Sequence, residues 1–120
     1  MEPVFRLTNA EGKLAELLWN NAPIASMEMI KMAQKEFGWK KSTTYSVIKR
    51  LSVRGALKNE NAVVTSLVSQ LQVQKYESEQ ILEKTFDNSL PSFITAFLHG
   101  RTLTQDEAIQ IKLMIEEATK

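Results

Sequence analysis

The 120 residues suffice for one ordinary domain or two very small ones, and 43% hydrophobic with 24% charged is the balance of a folded globular chain. No stretch approaches the about 18 apolar residues that span a bilayer. The opening MEPVFRLTNAEGK lacks a signal-peptide pattern, so a cytoplasmic protein without membrane insertion is expected. Cysteine is absent, which excludes a disulfide framework, a thiolate metal site and a thiol nucleophile.

Thr8-Asn9-Ala10-Glu11 has the form of a capping box, in which a hydroxyl and a carboxylate satisfy the free N–H groups at a helix start. Leu14, Leu17 and Leu18 continue it as an apolar stripe that ends near Asn20-Asn21-Ala22-Pro23. Ser26 is the expected N-cap of a second helix through about Phe37, with Ile30, Ala33 and Phe37 inward and Gly38 just past its end. Met27, Met29 and Met32 on that helix read as adaptable packing.

A third helix is expected from near Lys41 to just before Gly55. Thr44, Val47, Ile48 and Leu51 make its buried face, while Ser42, Tyr45, Ser46 and Lys49 turn outward, with Thr43 and Arg50 on the flank. Between Lys40 and Lys58 stand six cations (Lys40, Lys41, Lys49, Arg50, Arg54, Lys58) and no acidic residue. Small polar side chains at a helix start, ringed by cations, are what a DNA major groove requires of a reading element. Ser42, Thr43, Tyr45, Ser46 and Arg50 are the candidates for base contacts. Lys40, Lys41, Lys49, Arg54 and Lys58 are the candidates for phosphates. Arg50 is also placed to reach a phosphate or a carboxylate of its own domain. Helix capping is the plainer role for Ser42 and Thr43, and partly exposed packing for Tyr45. Trp19 and Trp39 read as packing residues rather than base-stacking platforms.

ALKNENAVVTSL, residues 56–67, reads as two short strands around a tip at Asn59-Glu60-Asn61, since Asn tolerates the left-handed backbone of a hairpin. Three helices and a hairpin in this order form a winged helix-turn-helix over residues 1–71.

Residues 72–120 read as a three-helix region. Val73, Tyr76, Leu82 and Phe86 lie in its first helix, Phe93, Ile94, Phe97 and Leu98 in a short helix opened by Pro91, and Ala108, Ile111, Ile115 and Ala118 in a last helix behind the capping box Thr104–Glu107. Three short helices cannot bury this apolar content among themselves. A homodimer is therefore expected, through Val73, Tyr76, Leu82, Phe86, Phe93, Phe97, Ile111 and Ile115; folding back onto the first domain is the other way to cover them. Charge follows the same division. Residues 1–71 hold ten basic and six acidic side chains, and residues 72–120 hold five and eight.

Nothing points to catalysis. The single histidine, His99, has no cysteine or second histidine beside it in sequence, and no glycine-rich phosphate loop is present. Glu79, Glu83 and Asp87 share a helix face without apolar neighbours to raise a carboxyl pKa. No enzyme activity, cofactor or metal is expected. The alternative to DNA binding is a winged-helix module for a protein partner, favoured by Glu60 at a tip where a DNA binder carries a cation.

The chain resembles the penicillinase repressor (BlaI/MecI/CopY) family over most of its length. The likeness rests on Leu7-Thr8-Asn9-Ala10-Glu11 and Leu17-Leu18-Trp19 in the first helix, on Thr43 and Arg50-Leu51 in the third, and on Arg54-Gly55-Ala56-Leu57 after it. The resemblance implies a dimeric transcriptional repressor on double-stranded DNA with a palindromic operator. In the β-lactam-resistance branch it further implies a sensor protease that cuts an Asn-Phe bond. The matching segment is Ala96-Phe97-Leu98, where Ala replaces Asn. The copper-responsive branch releases DNA through a Cys-rich tail, which a chain without cysteine lacks.

Overall fold

The computed structural model describes residues 6–120; the signal-peptide reading rests partly on residues 1–5, which lie outside the described residues. The chain divides into two compact units, the first through Gln80 and the second Ile81–Lys120. Among the described residues no helix is long and apolar enough to cross a membrane.

The first helix, α1 (Asn9–Asn21), opens on the expected capping box. Thr8 Oγ1 accepts from the Glu11 N–H at 3.2 Å, and Glu11 Oε1 accepts from the Thr8 N–H at 3.0 Å. Leu14, Ala15, Leu17 and Leu18 then fall on one face and are buried. Pro23, after the C-cap Ala22, prevents continuation. Ile24 and Ala25 form a two-residue strand, β1, before α2 (Ser26–Phe37).

Ser26 is not the N-cap. Ala25 holds that position without a side-chain bond, and Ser26 is the buried first residue of α2. Its own N–H, one of the free donors of the first turn, donates to the Ala62 carbonyl at 2.9 Å, a backbone group 36 positions later in the sequence. At the other end Gly38 has φ +69, and the Trp39 N–H reaches back to the Ala33 carbonyl. This left-handed residue turns the chain sharply into α3 (Lys41–Val53).

The hairpin follows as β2 (Leu57–Glu60) and β3 (Val63–Ser66). β3 is central to a three-stranded antiparallel sheet, with Leu57 opposite Ser66, Glu60 opposite Val63, and β1 on the outer edge through Ile24 opposite Val64. The tip lies further along than Asn59-Glu60-Asn61. Its two turn residues are Asn61 and Ala62, at φ +52 and +62, the pairing a tight hairpin needs. Alanine pays for the left-handed backbone. Ala62→Gly should therefore raise stability by about 0.5–1 kcal/mol, read as a higher urea midpoint at unchanged slope; an unchanged or lower midpoint would show the turn to be unstrained.

Leu14, Leu18, Met29, Val47, Leu51, Leu57 and Val64 form the centre of the core, each essentially without solvent contact. Trp19 lies against this core, its indole N–H donating to the Val68 carbonyl at 3.0 Å and to Ser66 Oγ at 3.2 Å. Trp39 packs against Phe37 with ring centroids 5.0 Å apart. Both tryptophans are thus packing residues.

The next helix, α4 (Gln70–Phe86), crosses from the first unit into the second. Val73, expected at a dimer surface, is instead 5% exposed and belongs to the first unit's core. A helix entering from the hairpin has to seal that core before it leaves, and Val73 is the side chain that does so.

In the second unit Ser89 caps α5 (Leu90–Leu98), with Pro91 in its first turn. Phe86 meets Phe93 edge-on at 5.3 Å and Phe93 lies 5.9 Å from Phe97, while the Arg101 guanidinium covers Phe97 at 4.5 Å. The last helix, α6 (Gln105–Ala118), starts on the capping box Thr104–Glu107 as expected. Neither α5 nor α6 contains a buried residue.

Candidate nucleic-acid interface

The outward face of α3 follows from its inward one. Thr44, Val47, Ile48 and Leu51 are buried, as the spacing predicts, and the Thr44 hydroxyl is satisfied by the Lys40 carbonyl at 3.3 Å. This leaves Lys41, Ser42, Thr43, Tyr45, Ser46, Lys49 and Arg50 exposed along one surface. The N-cap is Lys40 and makes no side-chain cap bond, so Ser42 and Thr43 do not cap α3. Among the described residues their hydroxyls have no hydrogen-bond partner and stand open to an external donor or acceptor.

The first turn of α3 carries Lys41 and no acidic residue. Cations at a helix N-terminus oppose the helix dipole and cost folding energy, roughly 0.3–1 kcal/mol each. An arrangement that costs the free protein stability favours an anion placed against it. Lys40, Lys41, Lys49 and Arg50 have no carboxylate within 4.0 Å among the described residues. Their charge is uncompensated on one face.

Tyr45 is held in place. Its hydroxyl donates weakly to Met27 Sδ on α2 at 3.8 Å, and Lys41 Nζ lies 5.9 Å from the ring centroid. The phenol therefore stands at the junction of the two helices with both oxygen lone pairs available, a position the α3 periodicity alone does not reveal.

Two expected phosphate residues are engaged within the fold. Lys58 Nζ pairs with Glu60 at 2.9 Å across one face of β2, which neutralises the wing. Arg54 Nη1 pairs with Glu11 Oε1 at 2.7 Å, and its second terminal nitrogen donates to the Arg6 carbonyl at 3.0 Å. Glu11 is 3% exposed, a position the capping motif identified without revealing the partner.

Burial pushes the Glu11 carboxyl up, but the Thr8 backbone N–H and the Arg54 guanidinium more than offset this, holding it below its ordinary 4.5. A carboxyl that binds its proton more weakly folded than unfolded stabilises the fold above that ordinary value, and the contribution is lost as pH falls through the lowered one. Urea midpoints of the wild type should therefore drop on acidification below about pH 4.5, and Glu11→Gln should remove that part of the drop. Parallel pH curves for the two proteins would refute the pairing.

The expected dimer residues beyond Val73 are partly or fully accessible. Tyr76, Leu82, Phe86 and Phe93 are half-buried, and Phe97, Ile111 and Ile115 are exposed. On α6 the exposed apolar side chains Ile109, Ile111, Leu113, Met114 and Ile115 run from 41% to 62% exposure and surround most of the helix. Ala96 and Phe97 are exposed within helical α5.

Comparison with known proteins places these features in context. The penicillinase repressor family matches residues 7–117 of the chain. The chain is 23% identical over 121 residues to the penicillinase repressor of Bacillus licheniformis, covering 98% of this chain and 94% of that protein. It is 20% identical over 117 residues to the methicillin resistance regulatory protein MecI of Mammaliicoccus sciuri, covering 94% and 95%. Among solved structures, the solution structure of the DNA-binding domain of the repressor BlaI superposes with TM-score 0.51 and 26% identity, over 58% of this chain and 90% of that one.

Proposed function

The chain belongs to the penicillinase repressor family of transcriptional repressors, and we propose that it acts as a homodimer that grips a palindromic operator with α3 in the major groove. The observation that carries this reading is the exposed face of α3, where uncompensated lysines and unbonded hydroxyls share one surface of a helix whose other side is locked into the core.

Ser42, Thr43, Tyr45, Ser46 and Arg50 read base edges through hydroxyl, ring and guanidinium contacts, and Lys40, Lys41 and Lys49 neutralise flanking phosphates. The paired Lys58–Glu60 wing contributes little charge. Ile81–Lys120 supplies the dimer contact, because an apolar α6 has no cover within its own unit and two half-sites require two reading helices. Release by a sensor protease at Ala96-Phe97 would require α5 to unwind, since the bond lies inside a helix.

The test is selection of bound fragments from a random duplex pool at about 150 mM salt, followed by sequencing. An enriched inverted repeat with half-sites about one helical turn apart is the expected result. Failure of a folded, dimeric protein to enrich any sequence would overturn the proposal in favour of a protein-binding module.

A further inference from the structure

The Glu11–Arg54 pair joins the first turn of α1 to the C-cap of the reading helix, across 43 positions of sequence. A single oxygen, Glu11 Oε1, accepts both the Thr8 N–H that caps α1 and the Arg54 guanidinium. Arg54 in turn holds the Arg6 carbonyl just ahead of α1. The far end of α3 is fixed separately by the Gly38 turn. A partly buried ion pair is weak as a source of stability, and its best use is to select one arrangement among similarly stable ones. From this geometry we infer that Glu11 is a positioning residue for operator recognition: through Arg54 it sets the pose of α3, so that the α3 side chains meet base edges in register.

This inference rests on the reading that α3 contacts DNA. Base-edge recognition tolerates displacements of only about 0.5 Å, whereas phosphate attraction acts over several ångströms and survives a tilted helix. Loss of the pair therefore weakens specific binding and spares non-specific binding.

Three proteins test it: wild type, Glu11→Gln, and the double variant Glu11→Gln with Arg54→Met. Glutamine still accepts the Thr8 N–H, because Gln serves at that position of a capping box, so α1 keeps its start. The double variant removes both charges of the pair together, avoiding the cost of breaking it from one side, and urea midpoints measured beside the binding separate stability from recognition. The expected result is operator affinity lowered about tenfold in both variants, with affinity for unrelated duplex within twofold of wild type and an unchanged salt slope. If operator affinity returned together with stability in the double variant, Glu11 would be merely structural and the inference overturned. If the double variant instead lost affinity for all sequences and its salt slope fell by about one, Arg54 would be a phosphate contact, which also overturns it. Wild type that bound no duplex at all would sink the DNA reading itself and this inference with it, an outcome distinct from a wild type that binds beside a variant that matches it.

Discussion

Ile111→Lys combined with Ile115→Lys is expected to turn the proposed dimer into a monomer and weaken operator binding by about a hundredfold or more, the advantage that linking two half-site contacts confers. Both isoleucines lie one turn apart on α6 and are exposed in the isolated chain, at 41% and 58%. Lysine there costs the monomer little, since substitutions at exposed positions away from special features usually stay within about 0.5 kcal/mol. The same lysines at a closed interface would be desolvated and would face their symmetry copies. Stability to urea at low protein concentration should accordingly stay near wild type while the mass seen by sedimentation equilibrium halves. A variant that remained dimeric would move the interface off this face of α6.

Lys41→Ala with Lys49→Ala should have the second largest effect, and of a different kind. In the proposed complex each lysine neutralises a phosphate, so their removal should lower affinity for operator and unrelated duplex alike and reduce the slope of log K against log salt by about two. Near physiological salt the combined loss is expected at roughly ten- to hundredfold. Folding should not suffer. Lys41 occupies the first turn of α3, where a cation opposes the helix dipole, and Lys49 is exposed without a carboxylate partner among the described residues. Fluorescence anisotropy over a salt series reads both quantities; an unchanged slope would place the DNA on another surface.

What could be read from the chain follows from how far apart the interacting residues are. The buried face of α3 and both capping boxes depend on side chains within four positions of each other, and a single sequence displays such spacing directly. β1 was not legible because two residues cannot show alternation, and its pairing partner Val64 lies 40 positions on. A similar separation hid the true start of α2, where the Ala62 carbonyl accepts the Ser26 N–H. Val73 was misplaced because apolar residues after a hairpin carry no mark of which core they enter. In the candidate site, the exposed hydroxyls and lysines of α3 were evident from its periodicity. The engagement of Arg54 with Glu11 and of Tyr45 with Met27 depends on helices meeting in space, and only the fold reveals it.

In the proposed complex two copies of α3 occupy the major groove on one face of the duplex. Dimethyl sulfate footprinting on the selected operator addresses it directly, because guanine N7 faces the major groove and adenine N3 the minor groove. Two clusters of guanine N7 protection about one helical turn apart are the expected result. Protection confined to adenine N3, or a single protected cluster, would contradict it.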